Sequence, residues 1–102
     1  MGATKLEYYS PEELRNSELG RAVGAPARII ILRFIEENNR VTGPELKKIL
    51  KLGKPTIQQH IESLVLSGLI WGKYYGNRYG WELNPNNSED FEKIKWALKR
   101  PD

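Results

Sequence analysis

A change of period near Gly68 constrains this chain more than any other feature. Before it, apolar residues recur at helical spacing. After it, from Ile70 to Leu83, they follow the two-residue period of a strand. Gly76-Asn77 sits in the middle of the second stretch, and a Gly-Asn pair between alternating runs marks a two-residue hairpin turn. With those two residues as the loop, Tyr75 opposes Arg78, Tyr74 opposes Tyr79, Gly72 opposes Trp81 and Ile70 opposes Leu83. Ile70, Tyr74, Tyr79, Trp81 and Leu83 then share a core-facing side, with Trp81 covering the bare Gly72. Trp71, Lys73, Tyr75, Arg78 and Glu82 form the opposite side, wet and mostly basic.

Four helices are expected ahead of the hairpin. Ser10-Pro11-Glu12-Glu13 is a capping box with proline at the first helical position, and Gly24 can end the helix it starts. Pro26 opens a second helix whose Ile30, Ile31, Leu32, Phe34 and Ile35 are apolar nearly all round, the mark of a buried central helix that stops at Asn38-Asn39. Thr42-Gly43-Pro44-Glu45 repeats the capping box for a short third helix. Leu52-Gly53-Lys54 is read as a tight turn with glycine in the left-handed conformation. Pro55 opens a fourth helix running to Gly68. Beyond the hairpin, Asn84 to Asn87 is a loop, and Ser88 starts a last helix with the stripe Phe91, Ile94 and Leu98.

Helices followed by a hairpin in this order predict a mainly α fold with a small β-hairpin, a winged helix-turn-helix with N- and C-terminal helices flanking it. The turn motif spans residues 43–67, the wing 70–83 and the last helix 88–99. All 102 residues are read as one domain, since this length supports a single modest core. The absence of cysteine argues against disulfides, and the longest purely apolar run is too short for a membrane span. Met1 to Ser10 lacks the basic-then-apolar build of a leader peptide, so a cytoplasmic location is expected.

Charge is unevenly placed. Residues 40–80 carry seven Lys/Arg (Arg40, Lys47, Lys48, Lys51, Lys54, Lys73, Arg78) against Glu45 and Glu62, while both flanking stretches are slightly acidic. A basic middle fits a polyanion, and in this frame the fourth helix would enter the DNA major groove. At about 100° per residue, Ile57, Ile61, Leu64 and Val65 define its buried side. Gln59 then lies opposite, with Ser63 and Thr56 beside it and Gln58 and His60 on the shoulders. Glutamine can bond adenine in the major groove, and hydroxyl side chains can bond bases or phosphates. The expected DNA contacts are therefore Lys54, Thr56, Gln58, Gln59, His60 and Ser63, with Lys73, Tyr75 and Arg78 from the wing. Glu62 and the exposed Leu66 do not fit this face. His60, the single histidine, is expected to be half-buried and to orient the helix.

The stretch Leu19 to Leu32 (LGRAVGAPARIIIL) resembles the opening signature of the ArsR-type winged-helix repressors, with a proline and an arginine starting the second helix. Thr56-Ile57-Gln58-Gln59-His60-Ile61, with Leu64 and Gly68-Leu69-Ile70, resembles their recognition helix. Gly76-Asn77-Arg78, with Tyr79 and Trp81, resembles their wing. The likeness covers residues 19–83 and implies bacterial or archaeal transcriptional control by a homodimer, built from the first and last helices and bound to an imperfect inverted repeat. Many relatives sense metals through cysteines on the third helix or His/Asp/Glu pairs on the last. This chain has no cysteine, and its last helix has no histidine, so no metal or other cofactor is expected. Glu89, Asp90 and Glu92 read as first-turn charge suited to the helix dipole.

The reading is a sequence-specific regulator of double-stranded DNA, a repressor working as a homodimer on an inverted-repeat operator, with any small-molecule effector unidentified. Leu14, Phe91, Ile94, Trp96 and Leu98 are the expected dimer interface, because the last helix's stripe needs a surface to cover. The alternative is a winged-helix adaptor that binds protein, its basic face incidental. An enzyme is not expected, since neither a nucleophile–base pair nor paired carboxylates appear.

Overall fold

The computed structural model describes residues 9–100. Residues 1–8, most of the stretch compared with a leader peptide, lie outside it, as do residues 101–102. The elements run α1 (Pro11–Ala22), α2 (Pro26–Asn38), β1 (Val41–Thr42), α3 (Gly43–Leu50), α4 (Lys54–Leu66), β2 (Ile70–Tyr75), β3 (Arg78–Leu83) and α5 (Ser88–Ile94). A 3₁₀ turn at Pro85–Asn87 precedes α5, and a second at Lys95–Leu98 follows it.

Local chemistry accounts for most boundaries. Ser10 Oγ accepts from the Glu13 amide at 3.1 Å while the Glu13 carboxylate accepts from the Ser10 amide at 2.9 Å, the reciprocal capping box the sequence implies. Those bonds hold the Glu13 carboxyl below its ordinary range. Thr42 and Glu45 close the same box on α3. Between α3 and α4 the left-handed residue is Lys51, with φ 54°, and not the expected Gly53, which has φ −64° and serves as the α4 N-cap. Lys51 can take that conformation because its amide closes the helix onto the Lys47 carbonyl at 3.3 Å.

The sheet has three antiparallel strands in the order β1-β3-β2. The β2–β3 register is the one read from the Gly76-Asn77 turn, from Tyr75↔Arg78 to Ile70↔Leu83. The hairpin reading omitted β1, whose Val41 and Thr42 pair with Trp81 and Gly80. Its division into a core side and a wet side holds only at the base of the wing. Ile70 is buried and Trp81 and Leu83 pack partly on the core, but Tyr74 (69% exposed) and Tyr79 (46%) do not. The residue over Gly72 is Tyr79 rather than Trp81: a β-carbon there would collide with the Tyr79 ring and hydroxyl.

One core joins every helix to the sheet. Ile31, Leu32 and Ile35 of α2 lie at its centre with no exposed surface, as does Leu64 of α4. Burying such a side chain stabilises the fold by about 1.5–3 kcal/mol relative to leaving it in water. The last helix gives way to a 3₁₀ turn at Lys95, and Phe91, Ile94 and Leu98 all pack into the same core. Ion pairs and one side-chain hydrogen bond tie the segment down. The Arg15 guanidinium contacts Asp90 Oδ2 through Nε at 3.0 Å and Nη2 at 2.9 Å, and Arg33 Nε donates to the Leu98 carbonyl at 2.8 Å. Arg100 meets Glu37 at 2.8 Å. Among the described residues, no helix is long and apolar enough to cross a membrane.

Candidate nucleic-acid interface

α4 presents two faces. Ile57, Ile61 and Leu64 are buried, as its phase implies, while Val65, assigned to the same side, is 39% exposed. Thr56, Gln58 and Gln59 are exposed and Ser63 is half-buried, so hydrogen-bonding side chains cover the outer face. Lys54 is exposed at the first turn. Lys47, Lys48 and Lys51 are exposed around the α3–α4 turn, and none of these four lysines has an ion-pair partner among the described residues. Glu62 is exposed, and Leu66, at 84%, is the most exposed large apolar residue described.

His60 is half-buried and turned inward. Arg28 Nη1 lies 3.2 Å from His60 Nδ1. Guanidinium nitrogens only donate, so Nδ1 must accept and the imidazole proton must sit on Nε2. The same Arg28 donates through Nε to the Ala22 carbonyl at 3.1 Å and through Nη2 to the Arg21 carbonyl at 2.8 Å. One side chain of α2 thus caps the end of α1 and holds α4. Burial, and then the Arg28 charge, depress the basicity of His60 below its ordinary 6.5. Arg28 was legible only as part of a family signature. Its clamp joins positions too far apart in sequence for periodicity to reveal.

The wing splits its expected contacts. Arg78 is exposed beside the turn and has no ion-pair partner among the described residues. Lys73 lies 3.9 Å from Glu82. Tyr75 is half-buried and donates its hydroxyl to Glu82 Oε1 at 2.8 Å, while the Arg40 guanidinium sits 4.5 Å from its ring centroid. Burial and the Glu82 contact push the Tyr75 hydroxyl up to about 12. Glu82 also accepts from the Trp71 indole at 2.8 Å, and these bonds hold its carboxyl below the ordinary range. Tyr75 therefore braces the wing with Glu82, to which it donates its hydroxyl proton.

The interface expected from the last helix needs correction. Phe91 (6% exposed), Ile94 (3%) and Leu98 (4%) are covered within the protomer by its own core, so they have no uncovered stripe to offer a partner. Leu14 is half-buried, and Trp96 alone of the five stands well exposed, at 70%. Metal chemistry does not fit the side chains present. The chain has no cysteine, its single histidine is engaged by Arg28, and among the described residues no three His, Asp or Glu gather in one place. Asp90 instead pairs with Arg15, and Glu92 with Lys95 at 3.4 Å.

No family model matches the chain. An uncharacterized HTH-type transcriptional regulator of Methanocaldococcus jannaschii is 30% identical over 66 residues, covering 58% of this chain and 74% of the relative. Among solved structures, an ArsR family transcriptional regulator superposes with a TM-score of 0.66 at 23% identity, over 88% of this chain and 87% of its own. The transcriptional repressor PagR of Bacillus anthracis gives 0.69 at 20% identity, over 83% and 94%. The chain belongs to the HTH-type transcriptional regulators and carries their helix-turn-helix in the winged form of the ArsR-type fold.

Proposed function

We propose that this regulator reads double-stranded DNA in a sequence-specific way, as a cytoplasmic homodimeric repressor on an inverted-repeat operator. One observation carries the reading: the outer face of α4 offers exposed, uncharged Thr56, Gln58 and Gln59, flanked by exposed lysines free of ion pairs among the described residues. Lysines for phosphates around neutral donors and acceptors for bases is the division of labour such binding needs. Gln59 is the leading candidate for an adenine contact, with Thr56, Gln58 and Ser63 beside it. Lys54, Arg78 and Lys73 would meet phosphates. His60 acts by setting the orientation of α4, and Tyr75 by bracing the wing. Trp96, with Leu14, is what remains of the expected dimer surface, and two-fold symmetry would set two α4 helices about 34–36 Å apart along the duplex. PagR, a repressor of the same fold, favours repression.

The test is the salt dependence of duplex binding. Each phosphate contact contributes about −0.9 to the slope of log K against log salt. Lys54→Glu and Arg78→Glu should each weaken binding to all sequences and flatten that slope. A specific observation supports the adaptor alternative: Leu66 of α4 and Tyr74 and Tyr79 of the wing are large, largely apolar side chains that stand exposed. If neither charge reversal changes duplex binding, while Leu66→Ser and Tyr74→Ser abolish capture of a protein partner, the adaptor reading takes its place.

A further inference from the structure

A groove lies between α3, the start of α4 and the wing, and only Lys54 and Gln58 of its lining belong to the proposed DNA face. Its volume is about 460 Å³, inside the range of roughly 300–1,000 Å³ typical of small-ligand sites. Pro44, Leu46, Ile57, Ile61 and the Trp81 indole make its apolar wall. Lys47, Lys54 and Gln58 make its polar edge, and no acid lines it. Among the described residues, Trp71 is the only tryptophan whose indole N–H meets a protein acceptor, which leaves that of Trp81 available.

The chemistry of the wall and edge selects one class of ligand. An aromatic ring system would lie against Trp81 on this apolar wall, and aromatic pairs favour such contacts beyond simple burial. Two lysines among its lining residues, with no acid beside them, favour an anion held by charge-assisted hydrogen bonds. The adjoining groove, about 480 Å³, makes the contrast. It shares Gln58, Ile61 and Trp81 but has Glu62 in place of the lysines, so an anion is directed to the α3 end.

We propose that this groove binds an aromatic carboxylate of one or two rings and that such a compound is the regulator's effector. Lys54 and Gln58 belong both to the groove and to the proposed DNA face. A carboxylate that engages Lys54 lowers the charge offered to phosphate, so ligand and DNA oppose each other by reciprocal coupling. This regulatory half rests on the DNA-binding reading, whereas the site itself does not.

The experiment is a ¹⁵N–¹H titration of the full chain with 2-naphthoate, without DNA, followed by the same compound added to a chain–duplex complex. Saturable shifts are expected at the Trp81 indole N–H and the Lys47 amide, with the Trp71 and Trp96 indoles still. The uncharged 2-naphthylmethanol should bind about tenfold more weakly, the ratio for one charge-assisted hydrogen bond. Lys47→Gln should weaken 2-naphthoate by a similar factor while its thermal melting matches the wild type. Equal shifts at all three indoles, equal binding of the alcohol, or an unaffected Lys47→Gln variant would each overturn the site. Saturation of the groove with no release of duplex would overturn the effector role. A chain that bound no duplex at all would overturn that role together with the DNA-binding reading, and the titration would still decide the site.

Discussion

Arg28 is the residue whose loss should reveal most about how α4 is held. In Arg28→Met, three hydrogen bonds disappear: to the Ala22 carbonyl (3.1 Å), to the Arg21 carbonyl (2.8 Å) and to His60 Nδ1 (3.2 Å). All three are partly open to water, so each is set at about 0.5–1 kcal/mol, below the value for a buried charged bond. The total is about 1.5–3 kcal/mol, or a fall in Tm of about 7–14 °C for a domain of this size. Arg28→Lys keeps the charge, but one ammonium cannot span three separate acceptors, so it should recover only a minor part. Circular-dichroism melts measure both losses. The His60 proton offers an independent readout. Its folded pKa lies below the ordinary 6.5, so between the two values the unfolded chain binds more protons and stability rises with pH. That contribution is complete above about 6.5 and is lost as pH falls toward the folded value. Arg28→Met should raise the His60 pKa partway, because burial, the larger cause, remains. A melt within about 2 °C of wild type, together with an unmoved His60 titration by NMR, would refute the clamp.

Other consequences follow from the same geometry. A β-carbon on Gly80 would come within 2.7 Å of the Val41 carbonyl, so Gly80→Ala should force β1 away and cost about 1–3 kcal/mol, seen in denaturant melts and in exchange of the β1 amides. Ile61→Ala, which opens the core beneath α4 where the side chain is 2% exposed, should destabilise by about 2–5 kcal/mol; a loss below 1 kcal/mol would place the α4 core elsewhere. Trp96→Ser should leave melting of the protomer nearly unchanged, since the ring is 70% exposed, yet shift sedimentation toward monomer; an unaltered sedimentation profile would remove Trp96 from the interface.

Much of this fold was legible because short-range chemistry decided it. The Ser10/Glu13 and Thr42/Glu45 boxes lie within four residues, and Gly76-Asn77 sets the register of the entire wing. What was missed depends on which distant surface arrives. Val41 and Thr42 are too few to show a period, yet they extend the sheet because β3 has a free edge beside them. The stripe of Phe91, Ile94 and Leu98 announces burial but not the agent of burial, and the protomer's own core covers it. Tyr79 and Trp81 share one side of β3, and the pleat alone cannot tell which ring leans over Gly72. For the site, helical phase placed Gln59 outward and His60 on the shoulder of the helix, where it is half-buried. The Arg28–His60 contact and the Tyr75–Glu82 bond join residues that the sequence pattern does not link.

The central claim is that the outer face of α4 reads bases. Selection of bound duplexes from a random pool, run in parallel on the wild-type chain and on Gln59→Ala, tests it directly. The account predicts an enriched inverted repeat with half-site centres about 34–36 Å apart. In the variant, preference should relax at one adenine-containing position per half-site, by about 1–3 kcal/mol, with melting unchanged. A pool that stays random with the wild-type chain, or a variant that selects the identical sequence with equal stringency, would contradict it.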